Sequence, residues 1–297
     1  MASIFLAKSN NPYENLAIES AIFKQKEEAL YLWVNQPSII MGRNQDACRE
    51  YNQEILKRKN ILPVRRLTGG GCVYHDYGNL NFSFFGKELN KDKWLQIIKD
   101  ALETFGIHAN TSGRNDLLVD GYKVSGTAYL QEDDWYVFHG TLMVDVNIEE
   151  LVSVLQVSHL KYEGKGIDSI RSRVKNLCDF SNEITVSSLQ CAIIDAYKKK
   201  FPDAEYRNIS KDERQYQILI SKDWIYSSND CSLVIEKKVG NAIVQLHLFV
   251  ENNKINHIKV YTDSLYIDLC GIIQNKLLNM EYSKLESILH SIEEEIR

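Results

Sequence analysis

A chain of 297 residues with 44% hydrophobic and 25% charged side chains is ordinary globular material, long enough for a sizeable core and for two domains. Its 15 Gly and 4 Pro exclude collagen-like and low-complexity classes. The formal net charge of −5 argues against a surface built to coat nucleic acid or an anionic membrane.

Alternating apolar segments predict strands over Ser3–Ala7, Tyr31–Val34, Ser38–Met41, Asn79–Phe85, Lys123–Leu130 and Tyr136–Val144. Helical spacing predicts helices over Tyr13–Glu28, Asp46–Lys59, Asp92–Phe105 and Thr185–Lys200, the third with Asp92 as its cap and Gly106 just past its end. Strands and helices mixed without strict βαβ alternation give an α+β class, a mixed β-sheet flanked by helices. This first domain is expected over 1–205, followed by a polar linker over 206–221. The pattern restarts in a small C-terminal α/β unit over 222–297. Its expected strands are Leu233–Lys237, Ala242–Val250 and Ile255–Tyr261, with a hairpin turn at Glu251-Asn252-Asn253. Helices near Ser264–Asn279 and Ser283–Glu294 close it, the second with Leu285, Ile288, Leu289 and Ile292 on one face.

No apolar run approaches the roughly 18 residues that cross a bilayer. The opening MASIFLAKSNN carries no basic stretch ahead of its apolar residues, so no secretory signal is expected. The six cysteines, Cys48, Cys72, Cys178, Cys191, Cys231 and Cys270, form no C-x-x-C pair and fit a reducing cytoplasm.

Three clusters carry chemistry. The first runs from Arg65-Arg66 through Thr68-Gly69-Gly70-Gly71-Cys72-Val73-Tyr74-His75-Asp76. Three glycines let the backbone approach a ligand, successive N–H groups can nest an anion, and the arginines offer forked donors. The alternative is a flexible turn, and neither a Walker A nor a G-x-G-x-x-G pattern is present. The second cluster holds Asn115-Asp116 and Gly121-Tyr122-Lys123-Val124-Ser125-Gly126. Lys123 either faces solvent on an alternating strand or brings a positive charge into a site. Asn115 and Asp116 offer hard oxygens to Mg²⁺ or simply make a turn. The third is Phe138-His139-Gly140-Thr141, where His139 is a structural residue, a general base or a substrate contact. Cys72 and His75 lie too close in sequence for their spacing to mark a nucleophile–base pair.

Together these clusters resemble the lipoate–protein ligase family, within the biotin and lipoate attachment enzymes. The resemblance opens at Asn11–Glu19, with its Asn15-Leu16-Ala17-Ile18-Glu19 run, and continues through Gln36–Gln45. It is strongest over Arg65–Asp76 and reaches on through Lys123–Tyr129, His139–Leu142, Arg171–Leu177 and the accessory domain's Tyr261-Thr262-Asp263-Ser264-Leu265. It implies that lipoate and ATP form lipoyl-AMP, and that the lipoyl group then passes to a lysine of an apo lipoyl domain. Such domains belong to 2-oxoacid dehydrogenase E2 subunits, and the glycine-cleavage H protein is the related carrier. No nucleic acid or membrane partner is implied, and the cytoplasm is the expected location.

Lys123 is the implied catalytic residue, set between carboxylate and α-phosphate. ATP would be held by Arg65, Arg66, Gly69, Gly70, Gly71, Cys72, Val73, Tyr74 and Lys123. Lipoate would meet Lys123, Val73, Tyr74 and His139, and Mg²⁺ would take Asp116 first and Asn115 second. The sequence departs from the family at Leu130, where many members carry arginine. It departs again at Ile225–Asn229, where a Tyr-Gly-x-x-Pro run is usual. The accessory unit holds none of the three clusters and is expected to add no contact with phosphate or carboxylate. The rival activity is ATP-independent transfer of octanoyl or lipoyl groups between carriers through a cysteine.

Overall fold

The computed structural model describes residues 2–112, 116–155, 173–226 and 233–295. In chain order the strands are β1 (Ser3–Leu6), β2 (Ala29–Val34), β3 (Ser38–Met41), β4 (Leu62–Arg65), β5 (Val73–His75), β6 (Asn79–Gly86) and β7 (Ala109–Ser112). They continue as β8 (Asp116–Val119), β9 (Tyr122–Glu132), β10 (Trp135–Met143), β11 (Glu205–Tyr206), β12 (Leu233–Val239), β13 (Ala242–Glu251) and β14 (Lys254–Thr262). The main sheet runs β11-β1-β2-β6-β10-β9-β8-β7. A small sheet β4-β3-β5 sits beside it, and β12-β13-β14 forms the C-terminal sheet.

Period-2 alternation divides the main sheet into two unlike faces. Leu30 and Leu32 of β2, Leu80, Phe82 and Phe84 of β6 and Phe138 of β10 face one core, which the helices Lys91–Glu103 and Val186–Lys200 cover. Phe84 stacks on Trp94 and Tyr197 there. Its truncation to Ala is expected to cost about 3–5 kcal/mol. The other face is mixed. Tyr31, Trp33, Phe85 and Val137 pack with Leu16, Ile22 and Phe23 of the helix Pro12–Lys24. Between them the same strands bury Asn81, Ser83 and His139. A sheet face that buries polar side chains needs partners for them, and this face carries the site.

Several elements differ from the sequence reading. The expected helix Asp46–Lys59 splits into Ala47–Glu50 and Gln53–Lys59, because Asn52 accepts the N–H groups of Glu54 and Ile55 and starts a new helix. The cap of Lys91–Glu103 is Asn90 rather than Asp92. The hairpin turn stands as expected, with Asn252 and Asn253 at φ +49° and +60°. Segment 206–221 is not a free linker. Tyr206 pairs with Ile4, and the helices Glu213–Leu219 and Lys222–Tyr226 follow. Leu219 and Trp224 pack into the core beneath helix Pro12–Lys24, so the ordered first domain extends to Tyr226. In the C-terminal unit the helices Leu269–Leu277 and Leu285–Glu295 pack on β12-β13-β14, with Leu285, Leu289 and Ile292 inward. Among the described residues no helix is long and apolar enough to cross a membrane.

Candidate functional site

Two cavities open on the mixed face. The larger, of about 760 Å³, lies between β8, β9, the Cys72–Tyr74 segment and the C-terminal sheet. The narrower, of about 370 Å³, runs in toward Leu16, Trp33, His75 and Asn81. Cys72, Val73, Asp116, Lys123, Gly126, Thr141, Arg173 and Asp263 line both, so the chambers meet around Lys123.

Local structure fixes Lys123. The β8–β9 ladder pairs Leu117 with Ser125 but Leu118 with Lys123, a bulge that leaves Val124 extra. On its other edge the Lys123 N–H donates to Arg173 O at 2.7 Å, and Lys175 N–H donates to Lys123 O. The Nζ lies 2.7 Å from Asp116 Oδ1, with both side chains about one-third exposed to the chambers. A cation held this way stands where an anion in either chamber can reach it. Asp116 is the described member of the expected Mg²⁺ pair, and Asn115 lies outside the described residues. No cluster of three or more metal-ligating side chains occurs among the described residues.

The arginines do something other than face an anion. Arg65 donates from Nε to Trp224 O at 2.7 Å, from Nη1 to the carbonyls of Gly42, Arg43 and Gln45, and from Nη2 to Ile225 O. It lines neither chamber. Arg66 donates from Nε to Thr68 Oγ1 at 2.8 Å, from Nη1 to Ile40 O, and from Nη2 to Gly69 O and Gly71 O. Burial lowers its pKa to about 10, which leaves it charged at neutral pH. Both arginines brace the loop through carbonyls, and Arg66, unlike Arg65, also lines the narrow chamber. A forked cation meets so many carbonyls because a glycine-rich loop makes few hydrogen bonds of its own.

The loop is tight. Gly70 has φ +90°, and a Cβ on Gly42 would lie 2.0 Å from Gly70 O. Gly70 N–H is not open to a phosphate here, because it donates to Ser264 O at 2.9 Å. Gly69 lies under the same carbonyl and lines neither chamber. The C-terminal unit is thus docked on the loop, aided by Thr262 N–H to Asn44 O and Asn44 Nδ2 to Ile267 O. Its Glu236, Gln245, Tyr261 and Asp263 line the larger chamber. None of the three sequence clusters lies in this unit, yet the fold brings these side chains to the chamber wall.

Strand alternation separates Val73 and Tyr74. Val73 and His75 line the narrower chamber, whereas Tyr74 turns to the opposite side among Ile39, Tyr51 and Met143. Of the two chambers Tyr74 lines the larger one. Cys72 packs beside the same cluster. His139 lines the narrow chamber with both ring nitrogens engaged. Thr68 Oγ1 lies 2.9 Å from Nε2, and Glu19 Oε1 lies 2.9 Å from Nδ1. Ser83 Oγ donates to Glu19 Oε1 and Trp33 Nε1 donates to Ser83 Oγ. A continuous hydrogen-bonded chain therefore links Arg66, Thr68, His139 and Glu19. Sequence reasoning missed Trp33, Asn81 and Ala128 as chamber walls, because on a strand they look like other alternating residues.

Comparison with known proteins agrees with this architecture. Residues 11–198 match the lipoyl protein ligase A/B catalytic domain family, and 228–296 match the bacterial lipoate protein ligase C-terminus. Lipoate-protein ligase LplJ of Bacillus subtilis is 37% identical, over 93% of this chain and 88% of its own length. The crystal structure of P. falciparum LipL1 in complex with lipoate is 28% identical. It superposes with a TM-score of 0.85, over 100% of this chain and 98% of that one. A structure of lipoate-protein ligase A bound with ATP shares the fold at 22% identity, with a TM-score of 0.65 over 76% of this chain and 98% of that one.

Proposed function

The chain belongs to the lipoyl protein ligase A/B family, and from that premise we propose that it activates lipoate with ATP and transfers the lipoyl group to a lysine of an apo carrier protein. The observation that carries this reading is the meeting of two chambers at Lys123. Adenylation must bring two anions together, a carboxylate and a triphosphate, against their repulsion. A carboxylate in the narrow chamber and an α-phosphate in the large one would meet at one ammonium.

In the first half-reaction a lipoate carboxylate oxygen attacks the α-phosphorus, and the bond to the β-phosphate oxygen breaks to release pyrophosphate. Lys123 Nζ offsets charge on the transferring oxygens, where an aimed donor is worth more than in water. Positioning by the two chambers supplies much of the remaining rate. In the second half-reaction a carrier lysine amine attacks the lipoyl carbonyl, AMP leaves, and the amine loses a proton. The C-terminal unit docked over the loop limits water around the mixed anhydride.

Mg²⁺ fits this site only as a metal held chiefly by phosphate. Asp116 stands beside Lys123 and Asp263 also borders both chambers, and such a site suits a cation that keeps waters and takes one or two protein ligands. When bound, it neutralises charge on the triphosphate oxygens. Of the sequence-expected residues, Val73, His139 and Lys123 would meet lipoate, and Cys72, Val73, Tyr74 and Lys123 would meet ATP. The cytoplasm is the proposed location, and lipoyl domains of E2 subunits or the H protein are the proposed carriers.

The test is lipoate-dependent exchange between ATP and labelled pyrophosphate, followed by the mass of an apo lipoyl domain incubated with protein, ATP and lipoate. Exchange with a single lipoyl mass increment is expected. Carrier modification without ATP, from an acylated donor carrier, would replace ligation by transfer.

A further inference from the structure

The narrow chamber contains one donor whose partner the fold withholds. His75 is buried, lines that chamber only, and leaves Nε2 without a hydrogen-bond partner. Its tautomer follows from a chain of neighbours. Asn15 Nδ2 donates to the backbone carbonyls of Ser9 and Val34, and Tyr31 Oη donates to Asn15 Oδ1, which fixes the Asn15 amide. Asn15 Nδ2 also donates to Asn35 Oδ1 at 3.0 Å, so Asn35 turns its Nδ2 toward His75 Nδ1 at 3.1 Å. Nδ1 must then accept, and the ring proton sits on Nε2. Burial, with Arg66 and His139 nearby, lowers the His75 pKa to about 3, so the ring stays neutral. A neutral N–H held in one orientation and left unpaired inside the protein is costly unless a ligand accepts from it.

We propose that His75 is a specificity-determining residue, its Nε2–H placed to donate to a sulfur of the dithiolane ring and so to separate lipoate from acids with all-carbon tails. This rests on the ligase reading above. Depth supports it. Val73 lines both chambers at their junction, and His75 follows two residues later on the same face of β5, about 7 Å further in. The five-carbon arm of lipoate spans a comparable distance between a carboxylate at Lys123 and its ring. Trp33, whose ring meets the His75 ring edge-on, walls the same end. A carboxylate is already matched by Lys123, so the deeper donor is left for the tail.

The probe is 5-cyclopentylpentanoate, which has the shape of lipoate without sulfur. Pyrophosphate release is measured with each acid for the wild type, His75→Leu and His75→Gln, each checked by circular dichroism. The wild type is expected to favour lipoate in kcat/KM by about tenfold, a modest factor because sulfur is a weak acceptor. His75→Leu should bring the ratio close to one, mainly by losing lipoate activity, and His75→Gln, which keeps a donor, should restore part of it. An unchanged ratio in His75→Leu, or an equal fall for both acids, overturns the assignment. If the wild type activates neither acid, the ligase reading fails. Calorimetric titration of the two acids onto the wild-type protein and His75→Leu then decides the contact alone. Lipoate binding tighter than the isostere, and only with His75, supports it, and equal affinities overturn it.

Discussion

Replacing Arg66 by Met tests whether this arginine serves the loop or the ligand. The side chain is buried and donates to Thr68 Oγ1 and to the carbonyls of Ile40, Gly69 and Gly71 at 2.7–3.0 Å. Met fills a similar volume but donates nothing. Three carbonyls and the Thr68–His139–Glu19 chain then lose a donor inside the protein. Hydrogen bonds to a charged group each contribute about 1.5–3 kcal/mol, so a simple sum over four would reach roughly 6–12 kcal/mol. That sum ignores the cost of burying the guanidinium, which Met avoids. Leaving a buried acceptor without its donor costs about 1–3 kcal/mol, and with four acceptors partly re-paired a loss of about 3–5 kcal/mol is expected. It is a large share of the roughly 5–15 kcal/mol that holds a domain together. Urea unfolding should show a clearly lower midpoint at similar slope. Arg66→Lys should fall between Met and wild type, because lysine keeps the charge without the fork. In a folded Arg66→Met protein, an unchanged unfolding midpoint together with a tenfold or larger rise in KM for ATP would refute the argument and make Arg66 a phosphate ligand.

Lys123→Ala should leave the fold intact, because the side chain is one-third exposed, and should lower lipoyl-AMP formation by roughly 10²–10³, read as pyrophosphate release. Gly42→Ala should displace the glycine loop, since its Cβ would fall 2.0 Å from Gly70 O, so both melting temperature and activation should drop. Stability should decline on acidification through His75. Its folded pKa of about 3 lies below the unfolded value of about 6.5, so the unfolded chain takes the proton first. Stability from this group is intact above pH 6.5 and falls by up to about 1.4 kcal/mol per pH unit between 6.5 and 3, a slope that His75→Gln should remove. A fragment ending at Tyr226 should keep its circular dichroism and transfer from supplied lipoyl-AMP. One ending at Ser221 should be less stable, having lost the Trp224 and Ile225 carbonyls that receive Arg65.

By itself the sequence determined the α+β class, most strands of both domains, the Asn252-Asn253 turn and the three clusters that carry chemistry. These are local signals. A period of two, a capping side chain or a glycine run depends on residues close in the chain. Lys123, Asp116 and His139 also stood out there by residue type and setting, and Val73 through the family resemblance. Tertiary structure decided the roles. Arg65 and Arg66 read as anion binders because a guanidinium beside glycines suits phosphate equally well. Only the fold shows carbonyls of residues 40–45 and 224–225 arriving first. Tyr74 and Val73 are neighbours in sequence, yet only Val73 reaches the narrow chamber, because successive side chains of the strand β5 point to opposite sides. Leu219 sat in a stretch that looked like a linker and Trp224 at the start of what looked like the C-terminal unit, and the burial of both depends on helix Pro12–Lys24 being nearby. The His75 tautomer passes through Asn15 and Asn35, residues 60 and 40 positions earlier in the chain. Long-range packing chooses which partner each polar group meets, and spacing along a chain carries no record of that choice.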